Sequence, residues 1–147
     1  MFPLPDHAPS ATLPTPADDA AARSAIVLAM FIEMLQGKLH RGIVTDVRID
    51  YAGSLSVDPA LIAACGLREF QKIQLLNITN GARLETYLIN GEPGSHQIVV
   101  NGAAARLAMK GDRVIVAGYA QYRPDELIGH KPTVVVLDET NRIVETH

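Results

Sequence analysis

A glycine and a serine stand side by side at positions 53 and 54, within the stretch YAGSLSVDP (51–59). The hydroxyl of Ser54 can attack the carbonyl of Gly53 and turn the peptide bond between them into an ester. Glycine suits the preceding position because it leaves the carbonyl sterically open and tolerates a strained backbone. Loss of the serine α-proton would expel the upstream chain and leave dehydroalanine, whose hydrolysis would yield a pyruvoyl group. A Gly-Ser pair is equally the ordinary composition of a bend between a strand and a helix, so the neighbouring motifs must decide.

Cationic and phenolic side chains recur at spacings that place them on one face of a strand. Arg83 and Tyr87 are four residues apart in RLETYLI, so both point to one face of the sheet, and Thr86 points to the other. Arg83 can hold a carboxylate through two parallel hydrogen bonds. Lys38 and His40 in GKLHR share a face if this segment is a strand. The ordinary alternatives are an amphipathic strand with an exposed arginine, a solvated lysine and a packed histidine.

The segment NGAAA (101–105) carries small side chains, as expected where a ligand or another backbone comes close. A helix beginning near Asn101 would offer free backbone N–H groups to a carboxylate. The alternative is a packing face of alanines.

Composition excludes several classes of function. The net charge is −3 with no basic block, which argues against nucleic acid and anionic membranes as partners. The five histidines are scattered without metal-ligand spacing, so no metal is expected. The single cysteine, Cys65, excludes an intrachain disulfide and fits a cytoplasmic location.

The N-terminal region differs in composition from the rest. Residues 1–23 are rich in Pro, Ala, Asp and Thr and favour a disordered tail. The apolar segment SAIVLAMFIEML (24–35) is too short to span a bilayer, and the acidic residues before it do not fit a signal peptide. It is either a short packing segment or sequence upstream of the true start, for which Met30 and Met34 are candidates. We therefore expect residues 1–33 to be a disordered or mis-started extension and residues 34–147 to be one domain.

The remaining patterns predict a mostly β domain. Strands are predicted at 43–51, 73–79, 83–89, 97–100, 113–119 and 133–138, with a hairpin turn at Asn80-Gly81. Asp58, Pro59 and Gly66 predict a helix over 58–66 by its cap, first position and left-handed stop. A second short helix is predicted over 102–110, capped by Asn101 and ended by Gly111.

Four motifs in order, GKLHR, YAGS, NGARLETY and NGAAA, give the chain a resemblance to the pyruvoyl-dependent aspartate 1-decarboxylases from about Met34 to about Asp138. The resemblance implies a six-stranded double-psi β-barrel that assembles as a homotetramer with sites between subunits. It also implies cleavage between Gly53 and Ser54, which makes Ser54 a pyruvoyl group that forms a Schiff base with L-aspartate. The product would be β-alanine, for pantothenate and coenzyme A synthesis.

The same resemblance assigns roles to individual residues. Tyr87 is similar to the family's proton donor, and Thr86 to a residue used in self-processing and in substrate contact. Substrate binding falls to a set of six: Lys38, Arg83, Thr86, Gly102, Ala103 and Ala104. Tyr51 is expected to border the processing site and His40 to line the cleft or pack. Leu76 stands where an aromatic residue is often found and is expected to reshape the pocket wall.

Two rival functions remain open from sequence. One is a pyruvoyl decarboxylase acting on another acidic amino acid such as glutamate, because one methylene is poorly discriminated by packing. The other is a non-catalytic small β-barrel that serves as a binding module. The need for a maturation partner is unknown.

Overall fold

The computed structural model describes residues 15–17, 19–20, 23 and 30–147. Within 30–147 nearly all regular structure is strand, which confirms a mainly β fold with short helices. The strands are β1 (Ile32–Ile43), β2 (Asp46–Arg48), β3 (Leu55–Val57), β4 (Lys72–Asn77), β5 (Arg83–Asn90), β6 (Ile98–Asn101), β7 (Arg113–Tyr122), β8 (Thr133–Leu137) and β9 (Ile143–Thr146). The α-helix α1 spans Pro59–Ala64, and 3₁₀ helices span Gly102–Leu107 and Pro124–Leu127. No helix in the described part of the chain is long and apolar enough to cross a membrane.

The strands are hydrogen-bonded in the order β2-β6-β3-β5-β4-β7-β1-β8-β9. Three pairs are parallel (β1 with β8, β2 with β6, β3 with β5) and the other five are antiparallel, so the sheet is mixed. The described residues thus give nine strands where the resemblance implies six, and four of the nine are only three or four residues long. No pair joins β2 to β9 among these residues.

One apolar core unites the sheet with α1. Its fully buried members come from most strands and from the helix: Leu39, Val44, Leu55, Val57, Leu61, Ile73, Leu75, Leu88, Ile98, Val100, Val114, Val116 and Val135. Burial of each such side chain contributes about 1.5–3 kcal/mol, before the entropy of ordering the chain is set against it. The core therefore fixes β3, β5 and β6, the strands that carry the site.

The helix predicted over 58–66 forms where its capping residues indicate. The Asp58 carboxylate accepts a hydrogen bond from the N–H of Ala60 at 3.0 Å, Pro59 occupies the first turn, and Gly66 has φ +71°. Burial of Leu61 and Ile62 attaches the helix to the core. The sequence prediction for this helix is confirmed.

The hairpin around Asn80-Gly81 is also confirmed. Strands β4 and β5 pair antiparallel with Ile73 opposite Thr86, and Gly81 has φ +79°. The Asn80 side chain closes the turn by accepting from the N–H of Ala82 at 2.8 Å.

The single strand predicted over 43–51 is wrong. The chain leaves β1 at Ile43, forms only the three-residue β2 and turns at 49–50. Ile49 and Tyr51 are consequently 47% and 46% exposed instead of facing the core. Alternation of apolar and polar residues misleads here because the backbone pairs with β6 for three residues only.

The strand β1 extends further than the sequence pattern indicates. It begins at Ile32, opposite Tyr122 of β7, two residues before the expected domain start at 34. Gly37 of GKLHR lets the end of α1 approach β1, because a Cβ there would lie 1.9 Å from the carbonyl oxygen of Cys65. Most of the extension proposed for residues 1–33 lies outside the described residues.

Candidate active site

A cavity of about 370 Å³ lies against the Gly53-Ser54 peptide. Its lining comes from the segment before β3, from β5, and from β6 with the following 3₁₀ helix: Gly53, Ser54, Leu84, Glu85, Thr86, Tyr87, Asn101, Ala103, Ala104 and Leu107. The predicted processing residues Gly53 and Ser54 therefore share one cavity with the predicted substrate contacts Ala103 and Ala104. Thr86, which is predicted for both roles, and the predicted proton donor Tyr87 line the same cavity.

The position of Ser54 follows from the pairing of β3. Leu55 lies opposite Leu88 in a parallel pair with β5, so the preceding Ser54 comes beside Tyr87. On its other side β3 pairs with β6, with Ser56 opposite Val99. Ser54 is only 4% exposed. The serine is thus held at the wall of the cavity, shielded from bulk water.

Asn101 is the functional residue that sequence reasoning missed. Its side-chain amide donates to the Ser54 carbonyl at 2.6 Å and to the Ser56 hydroxyl at 2.8 Å. The expected helix cap does not form: the Asn101 side chain makes no cap hydrogen bond, and the helix is a 3₁₀ segment that ends at Leu107. The Asn101 Oδ1 atom is buried with no partner in the described structure. Its placement at the start of NGAAA was the available signal.

Two glycines let the backbone at Gly102 come close to the carbonyl groups of Gly53 and Tyr51. Gly102 has φ +60°, and a Cβ there would lie 3.1 Å from the Gly53 oxygen and 3.3 Å from the Tyr51 oxygen. Gly53 itself has φ +146°, a backbone conformation that residues other than glycine rarely adopt. A Cβ on Gly53 would also lie 3.5 Å from Cε1 of Tyr51, so this ring borders the Gly53-Ser54 peptide as expected.

The far end of the 3₁₀ helix is tied to the β4–β5 hairpin. The carbonyl of Leu107 accepts from the side chains of Asn77 at 3.2 Å and Asn80 at 3.0 Å. Asn77 also donates to the buried Asp112 carboxylate at 2.6 Å. These contacts link the β4–β5 hairpin to the 3₁₀ helix that begins in NGAAA, because two asparagine side chains hold the carbonyl of its last residue.

The two faces of β5 present different side chains, as its periodicity predicts. Arg83, Glu85 and Tyr87 are exposed, whereas Thr86 is partly covered on the opposite face. Tyr87 is 42% exposed in the single chain. Arg83 does not reach the Ser54 cavity; it lines an adjacent cavity of about 270 Å³ together with Leu76. Glu85 lines both cavities.

Lys38 and His40 lie on β1, away from the Ser54 cavity of their own chain. Lys38 pairs with Ala117 of β7 and Val134 of β8 and is not among the cavity-lining residues. Burial lowers the pKa of His40, and the charges of Lys38 and Arg41 lower it further. His40 is therefore neutral near pH 7, and its Nδ1 is buried with no partner within the described residues.

Comparisons with known proteins identify the family of this chain. A model of the aspartate decarboxylase family matches residues 30–144. The aspartate 1-decarboxylase of Psychromonas ingrahamii is 50% identical over 113 residues, 77% of this chain and 90% of its own length. Those of Sulfurimonas denitrificans and Caldicellulosiruptor bescii are 49% and 47% identical, over 79% and 78% of this chain and 96% and 90% of their own lengths. The family match spans β1 to β8 and the first residues of β9, together with the cavity at Gly53-Ser54, and the chain belongs to the aspartate decarboxylase family.

Proposed function

We propose that this chain cleaves itself between Gly53 and Ser54 and then removes the α-carboxylate of L-aspartate, giving β-alanine and carbon dioxide. The observation that carries the proposal is the set of contacts around the Gly53-Ser54 peptide bond. The Gly53 carbonyl rests against Gly102, the Ser54 carbonyl accepts from Asn101, and Tyr87 lines the same cavity.

Self-processing begins with attack of the Ser54 Oγ on the carbonyl carbon of Gly53. The C–N bond breaks as the ester C–O bond forms, and the proton moves from oxygen to nitrogen. Thr86 lines the same cavity as Ser54 and is our candidate for contact with the developing charge on the Gly53 oxygen. Loss of the Ser54 α-proton then breaks the ester, residues 1–53 leave with a carboxylate, and water releases ammonia from the remaining enamine.

The cavity fits a pyruvoyl group formed at position 54. The Ser54 carbonyl persists in that group, so the 2.6 Å hydrogen bond from Asn101 can hold it after cleavage. The unpartnered Asn101 Oδ1 and the small side chains of Ala103 and Ala104 give the cavity a polar wall with little steric bulk. When formed, the group supplies a carbonyl that takes up the substrate amine and accepts the electron pair released with carbon dioxide.

The remaining residues bind the substrate and move its proton. Ala103 and Ala104 line the cavity with small side chains that let a ligand approach the backbone, and Gly102 adjoins them. The Tyr87 hydroxyl is our candidate to deliver a proton to the former α-carbon. Arg83 and Lys38 supply the positive charge that a dicarboxylate requires.

A homotetramer with sites between subunits accounts for two features of the single chain. Lys38 and Arg83 lie outside the Ser54 cavity, so a partner subunit would have to complete it. Near that cavity Tyr51 and Leu107 are 46% and 45% exposed. Apolar side chains of this kind are commonly covered in an oligomer. We place the enzyme in the cytoplasm, as its single free cysteine suggests.

Denaturing mass spectrometry of the purified chain tests the proposal. We expect fragments 1–53 and 54–147, the second beginning with a pyruvoyl group, and β-alanine on addition of L-aspartate. Ser54→Ala should stay intact and inactive, whereas the turn variant Ser95→Ala should process normally. An uncleaved 15.8 kDa chain, both alone and after incubation with a host lysate that could supply a maturation partner, would overturn it. Faster turnover of glutamate than of aspartate would reassign the substrate.

A further inference from the structure

An ion pair joins strands β4 and β5 at the mouth of the Ser54 cavity. The Lys72 Nζ and Glu85 Oε2 atoms are 2.6 Å apart. Lys72 lies opposite Tyr87 in the antiparallel register and Gln74 opposite Glu85, so the pair is a diagonal contact on the face that carries Tyr87. The side chains are 72% and 56% exposed. An ion pair this exposed contributes little to stability. A role in the site therefore explains its presence better than a role in folding.

Glu85 lies where the proposed substrate would meet it. Glu85 lines the Ser54 cavity, the adjacent cavity that holds Arg83, and a third that it shares with Lys72. A dicarboxylate bound in the Ser54 cavity therefore lies close to the acidic residue Glu85. Two like charges at such a distance repel, and the repulsion is strongest where water is partly excluded.

We infer that Lys72 is a specificity-determining residue, which masks the Glu85 carboxylate and so lets a dianionic amino acid enter the cavity. This inference rests on the proposed function. Other charges also face the pair: Arg83 stands two residues from Glu85 on the same exposed face of β5, and Glu33 adds negative charge near Lys72. Lys72 is therefore a cation between two carboxylates, and its removal makes the local charge more negative.

Each partner favours the ionised form of the other. The hydrogen bond and charge of Glu85 raise the pKa of Lys72, and those of Lys72 lower the pKa of Glu85. Both are thus charged throughout the neutral range, and the masking does not depend on pH there.

The effect should appear in substrate binding and not in the chemical step. Lys72 does not line the Ser54 cavity, so its loss leaves the processing residues and Tyr87 in place. Lys72→Met should raise the KM for aspartate about three- to ten-fold, the size expected for one unmasked charge a few ångströms from the substrate at an intermediate dielectric. The kcat should stay within about two-fold.

A double-mutant cycle tests the inference. We would measure KM and kcat for the wild type, Lys72→Met, Glu85→Gln and Lys72→Met/Glu85→Gln, with Lys131→Met as an exposed-lysine control. The double variant should return KM towards the wild-type value, because it lacks the charge that Lys72 masks. Added salt should narrow the gap between Lys72→Met and the wild type. Equal melting temperatures would exclude a merely structural effect.

The outcomes separate this inference from the proposed function. A wild type that neither cleaves nor turns over aspartate overturns both. An active wild type with an unchanged KM in Lys72→Met, or a double variant no better than Lys72→Met, overturns only the masking role.

Discussion

The side-chain amide of Asn101, at the end of β6, lies 2.6 Å from the main-chain carbonyl of Ser54, just before β3. The same amide donates to the Ser56 hydroxyl, so one side chain spans the start of β3. Both strands are held by the core, and the hydrogen bond therefore fixes the reacting peptide relative to the sheet. It also remains possible after Gly53 has departed, because it involves only the serine side of the cleaved bond.

Asn101→Ala should slow self-processing about five-fold or more, since one charge-neutral hydrogen bond that holds a reacting group contributes on the order of 1 kcal/mol or more. The measurement is a time course of the intact chain by denaturing mass spectrometry. Asn90→Ala, at the exposed end of β5, is the matched control and should process at the wild-type rate. Unchanged processing in Asn101→Ala would remove Asn101 from this role.

Gly102→Ala should block or greatly slow processing, because the new Cβ would press on the Gly53 oxygen from 3.1 Å. Gly81→Ala is the control, since Gly81 also has a positive φ, of +79°, but no atom within 4 Å of an added Cβ. The positive φ at these positions should destabilise both alanine variants by a similar amount, about 1–2 kcal/mol. Normal cleavage in Gly102→Ala with a loss of stability equal to that in Gly81→Ala would show that only the backbone conformation matters.

Tyr87→Phe should cleave normally but lower kcat about 10²–10⁴-fold, the range that a positioned proton donor supplies. Steady-state β-alanine production, corrected for the fraction of processed chain, measures it. Tyr122→Phe, near the end of β7, is the control. Activity within two-fold of wild type in Tyr87→Phe would assign the proton to another donor.

The local elements could be predicted from sequence because capping and turn residues mark where each one begins or ends. Asp58 and Gly66 delimit α1, and Asn80-Gly81 dictates the β4–β5 turn, through contacts within a few residues. The face shared by Arg83 and Tyr87 follows from strand geometry alone. The Gly53-Ser54 peptide was found by its chemistry, and its neighbours were identified by family resemblance.

Long-range contacts could not be read in the same way. Asn101 contacts Ser54 across 47 positions of sequence, and nothing in NGAAA specifies that partner. The strand predicted over 43–51 failed because β2 ends where its pairing with β6 ends. The Lys72–Glu85 pair depends on the diagonal register of two strands. Each of these requires knowing which strand lies beside which.

The pH dependence of stability should reflect Asp58, which is fully buried. Burial raises the pKa of this carboxyl, but hydrogen bonds from the N–H groups of His96, Ala60 and Gly94 outweigh it, and the net pKa lies below the ordinary 3.8. A depressed pKa in the folded state means that the contribution is present above the ordinary pKa and is lost as pH falls through the folded one.

Asp58→Asn should therefore lower the unfolding free energy by about 1–3 kcal/mol at neutral pH, and the deficit should shrink below about pH 4. Urea unfolding from pH 7 to pH 3 measures this. The exposed turn variant Asp50→Asn should track the wild type. A deficit that stays constant down to pH 3 would show that the Asp58 charge is not the source.

Co-expression of two defective chains tests whether the sites lie between subunits. Lys38 is absent from the Ser54 cavity of its own chain, so we expect a partner subunit to bring it to the site that contains Tyr87. Lys38→Met and Tyr87→Phe should each be nearly inactive alone. In mixed oligomers, some interfaces would combine the intact Lys38 of one chain with the intact Tyr87 of the other. Random mixing of chains in a symmetric assembly would restore about a quarter of the sites. If both residues serve one site from the same chain, every mixed site keeps one defect, and activity would stay at the level of the separate variants.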